Sequence, residues 1–201
     1  TERGMLVLAE QRWSDARKLL IDSAKRAEIP TINYLGAAEA AQRMQDKPAR
    51  DEFLRSAEKA TPSARFAVML TQAHYYMEDK RYDQALDTLQ ELHKRAPRHA
   101  AVLAQLAACR EAREDWADLA ELVPALRKYQ AVTSDEVERL ERLAWDHLLV
   151  ASADPAAQWK ALPAALQRDP ELMQAWVERL LAADQDDAAE HAARLALGEC
   201  F

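Results

Sequence analysis

The chain has 201 residues, of which 49% are hydrophobic and only three are glycine, and this composition favours an all-helical protein with few long loops. The formal net charge of −7 disfavours a nucleic acid as the partner, because such a surface needs clustered lysine and arginine. No apolar run is long enough to span a bilayer.

Apolar residues recur at helical spacing along the first half of the chain, and prolines divide that half into hairpins. Pro48 and Pro62 are each expected at the start of a helix, where the missing N–H costs nothing, and Thr61 is expected to cap the helix that follows it. The three predicted hairpins cover residues 1–29, 30–60 and 61–96.

The third hairpin carries the clearest repeat signature. Ala73 is expected where its two helices cross closely, with Tyr76 as an aromatic residue on the same face. An apolar stripe with helical periodicity begins at Tyr82 in the second helix. Pro97 is expected to end that helix and to start the next one. The interval of 35 residues between Pro62 and Pro97 is close to the period of about 34 residues in tetratricopeptide (TPR) repeats.

The second half predicts three further hairpins, at residues 97–131, 133–168 and 169–199. Pro124 and Pro163 are both expected inside helices, where proline removes a backbone hydrogen bond. The whole chain, residues 1–201, is therefore predicted to be one all-α domain: an α-solenoid of stacked helical hairpins, a TPR-like superhelix of about twelve helices.

Several longer stretches resemble the proteobacterial HemY family of membrane-anchored TPR proteins associated with late haem biosynthesis. The similarity extends from Trp13 to the last helix and includes the prolines Pro124 and Pro163. A flavin-dependent protoporphyrinogen oxidase shares the family's name, but this sequence lacks the glycine-rich dinucleotide fingerprint of such enzymes. The matching stretches are NYLGAAEAA, RDEFLRSA, LTQA, QALDTLQELHKRAPRHAAVL, DWADLAELVPALRK, LERLAWDHLL and WKALPAALQRDPEL.

This resemblance implies a location at the bacterial inner membrane, through a pair of N-terminal transmembrane helices that are absent from this sequence. It implies a repeat domain that faces the cytoplasm, with the periplasm as the alternative. It also implies protein partners, including enzymes of haem biosynthesis, and it carries no set of catalytic residues. The expected function is a non-catalytic protein-interaction scaffold; the alternatives are a haem or porphyrin carrier and a generic TPR assembly factor at the inner membrane.

The first helices of stacked hairpins line a concave face that can contact an extended partner. The polar residues predicted on this face lack the lysine–asparagine pattern of repeats that bind a C-terminal carboxylate, which disfavours a chaperone-tail adaptor. The predicted partner-binding residues are Glu39, Gln42, Arg43, His74, Glu78 and Glu111.

Cofactor and catalytic motifs are not found in the sequence. Neither Cys109, expected in the core, nor Cys200 has the CxxCH spacing that attaches haem. His74 is the candidate axial ligand if haem binds, although no cofactor is expected. No HExxH motif predicts a metal site, and no serine or cysteine is paired with a base, so no enzymatic activity is expected. The tryptophans are expected to pack between helices.

Overall fold

The computed structural model describes residues 1–152, 154–182 and 184–196, and these residues form helices and turns without any strand. The predicted all-α class with about twelve helices is confirmed. The helices are α1 (Glu2–Ala9), α2 (Trp13–Ala24), α3 (Thr31–Arg43), α4 (Lys47–Ala60), α5 (Arg65–Glu78), α6 (Tyr82–Arg95), α7 (Ala100–Arg113), α8 (Trp116–Lys128), α9 (Ser134–Ala151), α10 (Pro155–Ala161), α11 (Pro170–Ala182) and α12 (Asp186–Ala196).

The chain forms two compact units, Thr1–Pro97 and Arg98–Phe201. The first unit contains α1 to α6 and the second contains α7 to α12. Within each unit, helices that follow one another in the sequence pack against each other. The single domain and its six hairpin boundaries stay a prediction. In the described part of the chain, no helix combines the length and the apolar character needed to cross a bilayer.

Most turns after a first helix use the same backbone closure. After α5, the Lys80 N–H donates to the Met77 carbonyl (3.0 Å) and the Arg81 N–H donates to the Tyr76 carbonyl (2.8 Å). These two bonds form a Schellman motif, which requires a left-handed residue at its centre. That residue is usually glycine, yet none of the six found here is glycine. In the described residues they are Gln11, Gln45, Lys80, Glu114, Gln130 and Asp184, with φ between 50° and 61°. Gln130 follows the second helix α8, and the other five follow first helices.

Replacing Lys80 by glycine is expected to raise the free energy of unfolding by about 1 kcal/mol, because glycine has no Cβ to oppose the left-handed conformation. Arg55→Gly, at an exposed position inside α4, is expected to lower it by about 1 kcal/mol. Urea denaturation followed by circular dichroism measures both changes. Equal destabilisation by the two variants would contradict the argument.

The core of the first unit depends on close helix packing. Leu20 lies against Gly4 and Gly36, and a Cβ atom at Gly36 would be only 3.0 Å from Leu20 Cδ1. A side chain at either position would displace Leu20, so the two glycines make room for Leu20 where α2 packs against α1 and α3. In α5, Ala73 is fully buried, as its predicted helix crossing requires, but the buried aromatic residue is Tyr75, whereas Tyr76 is only partly buried.

Three prolines lie in structures that differ from the prediction. Pro62 begins a 3₁₀ turn (Pro62–Ala64), so α5 starts at Arg65 and the Thr61 side chain forms no cap. Pro163 lies after the end of α10, and its carbonyl accepts the N–H of Leu166. Pro97 precedes α7 without starting it. The missing N–H and the fixed φ of proline are equally compatible with a turn, which explains all three differences.

Two stacked tryptophans form the centre of the core at the end of the second unit. The rings of Trp159 and Trp176 are 4.2 Å apart and within 5° of parallel, and both are buried among leucines of α9 and α11 and Leu162, which follows α10. In α7, Cys109 is buried, as its alanine-rich surroundings predicted. Cys200 lies outside the described residues.

Candidate functional site

α3 and α5 bring five of the six predicted partner-binding residues onto one surface of the first unit. We call this group, Glu39, Gln42, Arg43, His74 and Glu78, the first-helix site. The Gln42 amide donates to Glu78 Oε2 (2.9 Å). The Arg43 guanidinium donates to Glu39 Oε1 (2.7 Å) and lies 3.4 Å from Glu78 Oε1. Whether these contacts belong to a binding surface stays a prediction.

Helical spacing explains why these side chains meet. Glu39, Gln42 and Arg43 follow one another at i, i+3 and i+4 in α3, while His74 and Glu78 are four residues apart in α5. Residues at these spacings lie on one face of a helix. The two helices also end in the same Schellman closure, so Arg43 and Glu78 occupy equivalent positions, two residues before the left-handed residue of each turn.

A buried arginine from α4 lies beneath the site. The Arg50 side chain is only 1% exposed, and it donates to Gln42 Oε1 (2.7 Å), Asp79 Oδ2 (2.8 Å) and Asp51 Oδ1 (2.8 Å). Its guanidinium also lies over the ring of Tyr75, 5.6 Å from the ring centre. Arg50 therefore joins α3, α4 and the end of α5, and its charge is compensated by two carboxylates.

The buried contacts fix the exposed groups from below. Gln42 is held at both ends, because its oxygen accepts from Arg50 while its nitrogen donates to Glu78. The Tyr75 hydroxyl donates to Glu39 Oε2 (3.0 Å). About half of the His74 side chain remains open to solvent, as do smaller parts of Arg43, Glu39 and Glu78. The site thus presents charged groups whose positions are set before any partner arrives.

The same contacts shift several pKa values. Burial raises the pKa of Tyr75, and the neighbouring Glu39 carboxylate raises it further, so the hydroxyl stays a donor. Burial alone would raise the pKa of Asp79, but hydrogen bonds from Arg50 and Lys47 outweigh it and lower that pKa below its ordinary value. The hydrogen bond to Glu39 raises the pKa of Arg43.

The lowered pKa of Asp79 predicts a loss of stability in acid. Its ionised form stabilises the fold at pH values above the ordinary pKa of 3.8, and this contribution is lost as the pH falls further, through the folded-state pKa. Asp79→Asn is therefore expected to lower the free energy of unfolding at pH 7 and to flatten its decline below pH 3.8. Urea denaturation between pH 2.5 and 7 measures this, with the exposed Glu52→Gln as the matched control. Parallel curves for Asp79→Asn and wild type would contradict it.

Glu111, the sixth predicted residue, lies in the second unit and has a different partner. Both of its oxygens accept from Arg139 of α9, at 2.8 and 2.9 Å. Arg139 also donates to Glu136, and its hydrogen bonds to Glu136 and Glu111 raise the pKa of the arginine. The neighbouring Arg142 contacts Asp169 at the start of α11 (2.9 Å). Ion pairs therefore connect the first helices of this unit.

The histidines whose side chains the structure describes lie in separate places. His74 Nε2 lies 3.6 Å from Glu78 Oε1, and His147 stacks on Trp116 with ring centres 4.0 Å apart. His93 is in the last turn of α6, His99 precedes α7, and the side chain of His191 lies outside the described residues. Among the described residues, no three or more histidine, cysteine or acidic side chains are grouped in a way that could hold a metal ion.

Sequence reasoning missed Arg50, Tyr75 and Asp79, although one signal was present. Arg50 shares a helix face with Leu54 and Ala57 at i, i+4 and i+7 in α4. When a charged residue falls on an otherwise apolar stripe, either the predicted helix face is wrong or the charge is buried and paired. A buried arginine needs carboxylate partners. Its partner Asp79 lies just after α5, where the sequence shows only a polar turn.

The solved structure of MamA (AMB-1) is similar to this chain, with a TM-score of 0.56. The match covers 84% of this chain and 94% of that chain, at 15% sequence identity. MamA is a TPR-like helical-repeat protein. At this identity the likeness concerns the fold alone, and it confirms the predicted class of helical hairpin repeats.

Sequence comparisons give a more specific result. Residues 1–45 match the family described as HemY protein N-terminus. Protein HemY of Escherichia coli (strain K12) and that of Shigella flexneri are each 28% identical over 196 residues, which cover 94% of this chain. The match covers 49% of each relative, so the chain spans about half the length of the curated relatives it matches. The match at the N-terminus and the similarity along nearly the whole chain together confirm the resemblance to the HemY family that the sequence motifs predicted.

Proposed function

We propose that this chain is a non-catalytic scaffold that holds protein partners through the first-helix site. The observation that carries the proposal is the support beneath that site: Arg50 and Tyr75 fix Gln42 and Glu39, while Arg43 and His74 remain exposed. A partner that meets positioned side chains loses less conformational entropy on binding than one that must order them. The helical-repeat fold supports the same function, because such folds offer extended surfaces.

The chemistry of the site also favours binding over catalysis. Its two glutamates share one guanidinium, and one of them also accepts from Gln42. The site lies on helix faces open to solvent, whereas a general acid or base works best where water is excluded. We therefore assign it no catalytic residue.

The resemblance to the HemY family supports a place beside the haem pathway. We propose that the partners include enzymes of late haem biosynthesis at the bacterial inner membrane, with this domain on the cytoplasmic side. Because the chain spans about half of its curated relatives, the membrane anchor and the partners of the whole protein are part of this proposal.

Site-directed crosslinking tests the scaffold proposal. A photo-activated residue is placed at His74 of the full-length protein in its native membranes, and at the exposed Asp87 of α6 as the control. Efficient capture at His74 but not at Asp87, with haem-pathway enzymes among the captured proteins, is the expected result. Equal capture at both positions would refute the site. Specific capture of unrelated membrane proteins would favour a general assembly factor.

A haem or porphyrin carrier is the second candidate, because the His74 imidazole is half exposed and accessible to a ligand. Titration of haemin into the domain, followed in the Soret band, distinguishes it. A shifted band that His74→Ala removes and His147→Ala retains would favour the carrier. A spectrum identical to that of free haemin would leave the scaffold as the only proposal.

A further inference from the structure

An exposed apolar patch lies beside the first-helix site. Five of the seven large hydrophobic side chains that are exposed in the described residues occur within residues 5–44. Met5 and Ile32 are 39% and 57% exposed. We call Met5 and Ile32 the apolar patch. Single exposed hydrophobic residues are ordinary, but a contiguous group marks a surface that contacts another molecule.

The geometry of α1 and α3 makes this patch contiguous. A Cβ atom at Gly36 would lie 3.2 Å from Met5 Sδ, so the Met5 side chain lies across Gly36. Ile32 precedes Gly36 by four residues, which is about one turn of α3, and it therefore lies on the same side of that helix as Met5.

One stripe of α3 connects the apolar patch to the first-helix site. Ile32, Glu39 and Arg43 are spaced at i, i+7 and i+11, so they share a face of the helix. At 1.5 Å per residue the stripe is roughly 16 Å long. It begins with an exposed isoleucine and ends with charged groups, and α3 packs against both α1 and α5.

The charged end of this stripe has an excess of negative charge. Glu39 and Glu78 both contact the single guanidinium of Arg43, while their other contacts come from Tyr75, Gln42 and the His74 imidazole, whose Nε2 lies 3.6 Å from Glu78 Oε1. With the imidazole counted as neutral, two carboxylates and one guanidinium leave one formal negative charge in this group. A lysine or arginine of a partner would neutralise this charge and donate a charge-assisted hydrogen bond to one of the two carboxylates.

We propose that this surface docks one amphipathic helix of a protein partner, with apolar residues on the patch and a basic residue at Glu39 and Glu78. A helix fits because its apolar residues at i and i+4, followed by a basic residue near i+11, form a ridge as long as the stripe. The proposal rests on the proposed function, since it names the partner that the first-helix site accepts.

Crosslinking from two positions tests the geometry. Photo-activated residues are placed singly at Ile32 and at His74 of the full-length protein in native membranes, and the linked partner peptides are sequenced. Both positions are expected to link to one segment, with apolar residues at helical spacing and a lysine or arginine at the end linked to His74. Links to different proteins, to a second copy of this chain, or to a segment without that basic residue would overturn the proposal.

Two variants test the chemistry. Ile32→Asp is expected to reduce crosslinking at His74 by about tenfold, because it places a charge where the apolar ridge should bind. Val150→Asp, exposed in α9, is the matched control and should have no effect.

Glu39→Lys combined with Glu78→Lys is expected to reduce crosslinking at Ile32 by about tenfold. Unchanged yields for Ile32→Asp would overturn the docking mode. Capture at His74 without capture at Ile32 would overturn this inference alone, whereas no specific capture at His74 would overturn the proposed function as well.

Discussion

Replacing Arg50 by methionine is expected to lower the free energy of unfolding by about 3–5 kcal/mol. The methionine keeps much of the side-chain volume but removes the charge that compensates Asp79, whose side chain is only 4% exposed. Gln42 also loses the donor to its oxygen, so a buried acceptor is left without a partner. Lys47, 3.1 Å from Asp79, keeps part of the compensation and places the expected loss towards the lower end of the range.

Urea denaturation followed by circular dichroism measures this loss, and Arg12→Met is the matched control. Arg12 pairs with Asp15 at the surface, and an exposed ion pair contributes at most about 1 kcal/mol. The double variant Arg50→Met with Asp79→Leu should recover part of the loss, because it removes both buried charges together. Equal effects of Arg50→Met and Arg12→Met would show that water reaches the Arg50 guanidinium.

Replacing Trp176 by alanine is expected to cost about 3–5 kcal/mol, the usual range for removing a large buried aromatic side chain. The variant removes one ring of the stack with Trp159 and leaves a cavity between α10 and α11. Trp176→Phe should cost less, since a smaller ring still contacts Trp159. Leu181→Ala, at an exposed position of the same helix, should change stability by no more than about 0.5 kcal/mol. A cost for Trp176→Ala as small as that of Leu181→Ala would contradict the packing described here.

Helices were predictable from the sequence because their signals are local. The spacing of apolar residues in α6 and the Thr133 cap of α9, which accepts the Glu136 N–H at 3.3 Å, depend on residues close in the chain. Pro62 and Pro163 were harder to place, because proline fits the first turn of a helix and a tight turn equally well. Which of the two forms depends on packing against other helices, and a single sequence does not contain that information.

The part of the candidate site that lies on α3 was predictable for the same reason, although Gln42 is buried. Glu39, Gln42 and Arg43 share a face of α3, so helical periodicity alone groups them. The buried support was not predictable, because Arg50 and Asp79 are 29 residues apart and meet only when α4 packs beside the end of α5. Glu111 shows that the position of a residue within a repeat does not identify its contacts. It occupies a polar position of a first helix, yet its bidentate partner is Arg139, in a different unit from the other five residues.

The left-handed turns tolerate changes of sequence. Their closing bonds join backbone groups only, so almost any polar side chain can occupy the central position at a small cost. A substitution at this position keeps the connection between the two helices intact, so the turn has no fixed sequence motif. Two chains that share only 15% of their residues, such as this one and MamA, can therefore have similar folds.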